Sequence, residues 1–333
     1  AMAQEESADV RIARATIQIR NHPDSADGYI NRSKAYNDKD QFESALSDCR
    51  TALRLSPGNT LALRQRGFAY LGKQKLDSAR EDFNYILNRV PKDTLVWYWR
   101  GLVNYIQNKL PQAINDYSEA IALDATYAKA WRNRGEAYYW AEKYDSAITD
   151  LSIALLYDPK LFRALYNRGM CYYYTSKQEL AIKDFTAGLE IEPTNSDFFN
   201  SRGMCYLQLK KYDLALNDFN DALRNNPTYT GAFVNRGNLY KRTGKKESAI
   251  ADYTQALMND SSQLDALYNR GLLYNDLKKF DEAIIDFSKV LKQLPQDVET
   301  FIFRGDAYTA VRKFNEAIKD YNAALKIKPG YAI

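Results

Sequence analysis

Eight glycines of this 333-residue chain stand 34 residues apart: Gly67, Gly101, Gly135, Gly169, Gly203, Gly237, Gly271 and Gly305, with Ser33 one step earlier. The prolines Pro57, Pro91, Pro159, Pro193, Pro227, Pro295 and Pro329 share a second phase of the same period. Pro23 falls on that phase one step earlier, and only Pro111 departs from it. A fixed period of roughly 20 to 50 residues marks an array in which each unit buries its apolar face only against its neighbours. The period therefore predicts one elongated stack, where length alone would suggest two globular domains.

With each unit starting seven residues before its glycine, nine units run 26–59, 60–93, 94–127, 128–161, 162–195, 196–229, 230–263, 264–297 and 298–331. Position 4 of each unit is large, position 8 is the glycine, and position 11 is Tyr in every unit but the third, where Asn104 stands. These lie at i, i+4 and i+7, one face of a first helix, A. Position 20 is Ala throughout, position 24 mostly aromatic and position 27 mostly Ala, which sets out the matching face of a second helix, B. Small residues let the two axes approach, large ones fill the space between, and the position-32 proline ends helix B. Residues 1–25 form an N-terminal tail and a capping helix, since residues 7–22 read as a helix B without its A.

The fourth unit carries Trp131, Gly135, Tyr138, Ala147, Ala154 and Pro159, the W-x2-L-G-x2-Y, A-x3-F, P pattern, and so resembles the tetratricopeptide repeat. The resemblance covers 26–331. It implies an all-α fold, a right-handed α-solenoid (superhelix) of nine 34-residue helix-turn-helix units, with the A helices lining a concave groove that holds a partner peptide. The triplet Asn-Arg-Gly with a later Asp-Tyr or Asp-Phe resembles a subtype frequent in bacterial members of the family.

One departure from the family is systematic. Position 7, usually Leu, is Arg in every unit, from Arg32 to Arg304, and position 23 is always Asp, from Asp48 to Asp320. Both lie beside the core stripes of their helices, where a guanidinium fork needs a carboxylate partner. Their joint recurrence favours a structural pair; the alternative is that the arginines bind anions or peptide carboxylates.

Function should reside where units differ and side chains face the groove, at positions 2, 5, 6, 9, 12 and 13 of helix A. In units three to five these positions supply a candidate peptide-binding surface of Tyr98, Trp99, Tyr105, Arg132, Asn133, Tyr139, Trp140, Arg163, Tyr166, Asn167, Tyr173 and Tyr174. Exposed aromatic surface of this extent marks an interaction site, the alternative being that neighbouring A helices half-bury it. Asn133 and Asn167, with Asn31, Asn235 and Asn269 at the same position, resemble the asparagine ladder by which some superhelical relatives hold a peptide backbone. Arg132 and Arg163 favour a ligand with acidic residues beside apolar anchors. The spacing that the family's carboxylate clamp requires is absent. Toward the C-terminus, Asp265, Asp276, Glu299 and Asp306 make the groove acidic, after a basic pair at Lys241 and Arg242, a charge pattern that reads as solvated surface.

Composition removes the other function classes. The 46 basic and 42 acidic residues leave a net charge of +4, too weak a field for nucleic acid to be the partner. No apolar run approaches the roughly 18 residues of a membrane span. His22 is the single histidine, and Cys49, Cys171 and Cys205 are scattered, so no triad, metal site or disulfide framework is expected. Gly244-Lys245-Lys246 lacks the Ser or Thr of a phosphate loop, since Glu247 follows. No cofactor is implied. The expected activity is that of a non-enzymatic protein- or peptide-binding scaffold; the alternative is the substrate-selecting arm of a larger enzyme, such as a glycosyltransferase, whose catalytic domain lies outside this chain. Ala1-Met2-Ala3 suggests a fragment or a mature chain after removal of a signal peptide, which leaves the compartment open: cytoplasmic or, if a signal peptide was removed, periplasmic or secreted. Ile318, Tyr321 and Leu325 on the last helix B make self-association through that end an expectation.

Overall fold

The computed structural model describes residues 6–330, and every regular element among them is an α-helix. The opening Ala1-Met2-Ala3 lies outside the described residues. The chain divides into two compact halves, Ala1–Cys171 and Tyr172–Ile333. The first holds α1 (Ala8–Asn21) and the pairs α2 (Ala26–Asn37) with α3 (Phe42–Leu55), α4 (Thr60–Gly72) with α5 (Leu76–Leu87), α6 (Thr94–Ile106) with α7 (Leu110–Leu123), and α8 (Ala128–Trp140) with α9 (Tyr144–Tyr157). After α10 (Phe162–Tyr174) come α11 (Gln178–Ile191) and the pairs α12 (Ser196–Gln208) with α13 (Tyr212–Asn225), α14 (Thr230–Arg242) with α15 (Lys246–Asn259), α16 (Leu264–Asp276) with α17 (Phe280–Gln293), and α18 (Val298–Ala310) with α19 (Phe314–Ile327).

Packing is sequential within each half: α1 rests on α2, each helix from α2 to α8 touches the next, and so does each from α11 to α18. Within each half the A helices also touch one another, as in α2 with α4 and α12 with α14, whereas successive B helices do not meet among the described residues. The A helices therefore line the inner side of each half.

Most of the period-34 glycines are set by the ring that faces them, and Gly135 by Leu151 at 2.7 Å. A Cβ on Gly67 would stand 2.5 Å from Phe83, and one on Gly203, Gly237, Gly271 or Gly305 would stand 2.7 Å from Phe219, Tyr253, Phe287 or Tyr321. The first unit completes the rule: its position 24 is the small Cys49, and Ser33 replaces the glycine, fully buried. The turn between A and B is also fixed. Asp40, Gln74, Asn108, Glu142, Ser176, Lys210, Lys278 and Arg312 all take φ between 56° and 63°, and Gly244 occupies the same place at φ 78°. Gly244 is thus a left-handed turn residue, the role glycine fills without steric cost.

The Arg and Asp ladders pair. Nε and Nη2 of Arg202 donate to Oδ2 and Oδ1 of Asp218 at 2.9 and 2.8 Å, and the same two-pronged bond joins Arg32 to Asp48, Arg66 to Asp82, Arg236 to Asp252, Arg270 to Asp286 and Arg304 to Asp320. Burial pushes the carboxyls of Asp82, Asp150 and Asp218 up from the ordinary range, against the pull of their arginines. The third prong reaches back to helix B of the preceding unit: Nη1 donates to Ser118 Oγ from Arg134 at 2.9 Å, to Asn220 Oδ1 from Arg236 at 2.7 Å and to Thr254 Oγ1 from Arg270 at 2.9 Å. Even α1 supplies such a partner, Thr16, to Arg32 at 3.3 Å.

Gly203→Ala should force Phe219 out of place and lower stability by about 1–3 kcal/mol, despite the better helix propensity of alanine. Denaturant unfolding of this variant beside Ser33→Ala, where a Cβ already fits, checks it. Equal stability of Gly203→Ala and the parent chain would contradict the ring-against-glycine account.

Candidate functional site

The candidate residues divide between the two halves. In the first, α6 and α8 present Leu102, Tyr105, Ile106, Arg132, Asn133 and Glu136 around a pocket of about 190 Å³, with Arg163 of α10 on its rim. Tyr105 Oη donates to Glu136 Oε1 at 3.0 Å, and burial first, then the Glu136 charge, raises its hydroxyl above the ordinary tyrosine range. Arg132 directs Nε and Nη2 onto Asn133 Oδ1 at 3.0 and 2.7 Å. Arg163 is exposed. One carboxylate and two guanidinium groups beside Tyr105 and Ile106 make a cationic rim on an apolar floor.

Three residues sit differently from their expected lining role. Tyr98 is only 7% exposed and packs on Tyr117 and Tyr127, with ring centroids 5.9 and 5.0 Å away. Its position points across to helix A of the next unit, so it is an inter-unit core residue. Asn133, 5% exposed, spends its amide internally: Oδ1 accepts from Arg132, and Nδ2 donates to Tyr98 Oη at 3.1 Å. It has no free carbonyl and amine edge for a peptide backbone. Trp99 packs on Phe68 and Phe83 at centroid distances of 5.0 and 6.1 Å.

Trp140 is exposed, at 61%, and leans edge-on against Tyr139 at 5.2 Å, which in turn meets Tyr144 at 6.2 Å. Tyr166 and Asn167 are half-buried on α10.

In the second half, Tyr174 is 51% exposed and meets Tyr173 edge-on at 5.5 Å. Tyr173 joins Met204, Leu207, Gln208, Asn235, Asn238, Lys241 and Arg242 around a cleft of about 550 Å³. Lys241 and Arg242, expected as solvated surface, line this cleft, and the same position arithmetic extended to units six and seven gives all of its lining except Tyr173 of unit five. Lys241 Nζ donates to Asn269 Oδ1 at 2.8 Å, and burial lowers its pKa below the ordinary lysine value, against the pull of Asp276. The acidic residues farther on are largely engaged: Asp276 pairs with Lys246 at 3.2 Å, Glu299 accepts from Tyr268 at 3.1 Å and Asp306 from Tyr321 at 2.8 Å.

All three cysteines are buried, and burial raises each thiol to about 12. Thiolate is the reactive form, so none should react with a thiol reagent near pH 8 until the chain unfolds. Titration with an aromatic disulfide reagent, native and denatured, checks this; a thiol that reacts quickly in the native protein would contradict it. Among the described residues no group of His, Cys, Asp and Glu could hold a metal ion, and no helix is long and apolar enough to cross a membrane.

Family models described as tetratricopeptide repeat match residues 162–195, 196–229 and 264–297, and 26–59, 230–263 and 298–331; one described as TPR repeat matches 101–140. Among solved structures, a tetratricopeptide repeat protein from Parabacteroides merdae is 19% identical, covers 80% of this chain and 98% of its own, and has a TM-score of 0.60. The C-terminal part of a TPR repeat-containing protein from Cytophaga hutchinsonii is 16% identical over 72% of this chain and 98% of its own, at 0.58. A chain of the APC/C hetero-tetramer Cut9–Hcn1 is 17% identical over 86% of this chain, at 0.59; the match spans only 56% of that chain. These identities bear on fold alone. No curated protein matches the chain.

Proposed function

Because the chain belongs to the tetratricopeptide repeat family, we propose that it is a non-enzymatic scaffold that holds a peptide segment of a partner protein on its A-helix face. The observation that carries this reading is the pocket of Tyr105, Arg132, Glu136 and Arg163 close to the exposed Trp140. A rigid aromatic surface offers contact area at low entropic cost, and two guanidinium groups against one carboxylate suit an acidic ligand residue. The contact set in the first half is Tyr105, Arg132, Tyr139, Trp140, Arg163, Tyr166 and Asn167, with Tyr98, Trp99 and Asn133 supporting it from beneath. Tyr173 and Tyr174 belong to the second half, where the cleft beside Lys241 and Arg242 offers similar chemistry. Cut9–Hcn1, a hetero-tetramer on the same fold, gives precedent for a protein partner.

Peptides selected against the protein should be enriched in acidic residues next to apolar anchors. Trp140→Ala should then weaken the selected peptide by about 1–3 kcal/mol with an unchanged circular dichroism spectrum. Trp99→Ala should lower thermal stability, because Phe68 and Phe83 lose their cover. If Asp276→Ala or Asp306→Ala abolishes binding while Trp140→Ala does not, the acidic end is the site and this reading fails.

A further inference from the structure

Two of the third unit's departures from the repeat, Asn104 in place of the position-11 tyrosine and the out-of-phase Pro111, line one notch. It measures about 560 Å³ and is bounded by Arg80, Asn84, Arg100, Lys109, Gln112 and Asn115 besides those two. The sibling units show what normally stands there. The position-11 ring lies against the ladder arginine in six of them, with the guanidinium carbon 5.8 Å from Tyr36, 5.9 Å from Tyr70, Tyr138 and Tyr240, 5.6 Å from Tyr274 and 5.7 Å from Tyr308. In units four, seven and nine the position-4 ring takes the opposite side, so that Arg134, Arg236 and Arg304 lie between two aromatics.

Arg100 has only half of that sandwich. Trp97 lies 4.6 Å from its guanidinium carbon, while the side that faces tyrosine elsewhere opens on the notch. Three of its five N–H groups are committed, two to Asp116 at 3.0 and 2.6 Å and one to Asn84 Oδ1 at 2.8 Å. Asn104 does not fill the space; it folds down and donates to Asp116 Oδ2 at 2.7 Å. The flat face of this partly buried guanidinium stays open to the notch, and such a face attracts an aromatic ring. Pro111 replaces the acidic residue that siblings such as Asp77, Asp145 and Asp213 carry at position 18, and adds an apolar wall. Even a closed cavity of roughly 150 Å³ admits benzene.

We propose that this notch is a second binding site, distinct from the A-helix face, which receives the aromatic side chain of a tyrosine or phenylalanine from a partner protein. The guest takes the place that the chain's own tyrosine occupies in the sibling units.

The probe is p-cresol, the tyrosine side chain as a free molecule, with 4-methylcyclohexanol as its saturated counterpart, titrated into the full chain and followed by nitrogen–proton NMR. Saturable shifts should appear at Arg100 Nε–H and Trp97 Nε1–H with p-cresol and not with the cyclohexanol. Asn104→Tyr, which installs the sibling residue, should fill the notch and reduce the p-cresol response at Arg100 at least tenfold, as should Asn104→Phe. Trp140→Ala should leave it intact, which separates this site from the one proposed above. Absence of saturable shifts, equal shifts from both compounds, or a response that survives both filling variants would overturn the proposal.

Discussion

The stack depends on the way one arginine per unit divides its donors. Two of its N–H groups hold the aspartate of helix B in the same unit, and a third reaches a hydroxyl or amide on helix B of the unit before. Removing the charge from one side alone would leave a buried partner unsatisfied, which costs more than the intact pair contributes. The fork therefore acts less as a source of net stability than as a constraint on which helix can sit where. It ties one hairpin to the next, and the ring-against-glycine contact limits how closely the two helices of a hairpin approach.

The repeat and its pairing were legible because they recur. Gly, Ala, Arg and Asp each stand at a fixed phase, so the helical hairpin and the two-pronged salt bridge follow from spacing. The third prong was not legible. Its acceptor varies among Ser118, Thr186, Asn220, Thr254 and Ser288, which share an oxygen but no single residue type. Arg50 occupies that phase in the first unit, and Arg66 after it makes no such bond among the described residues. Thr16 on α1 keeps the phase, which explains why that lone helix packs as a helix B.

The lining residues were only partly legible, because helical arithmetic assigns a direction and says nothing of what the next unit places there. Positions 5 and 6 point between neighbouring A helices as much as into open space. Tyr98 and Asn133 thus find each other across a unit boundary, while Trp140, at position 13, stays exposed. The third unit shows the other side of that rule. Asn104 is a single letter against eight tyrosines, and its meaning emerges only when the arginine beneath it is seen with one aromatic neighbour where Arg134, Arg236 and Arg304 have two.

A double-mutant cycle between Arg236 and Asn220 addresses the inter-unit prong directly, since the two side chains meet at 2.7 Å and Asp252 stays in place throughout. Asn220→Ala, Arg236→Lys and the double variant would be unfolded in urea and their free energies combined. A fork that couples adjacent units predicts an interaction energy of about 0.5–1.5 kcal/mol between the two positions. Strict additivity of the two changes would mean that the third prong carries no coupling, and that one hairpin is held to the next by apolar packing alone.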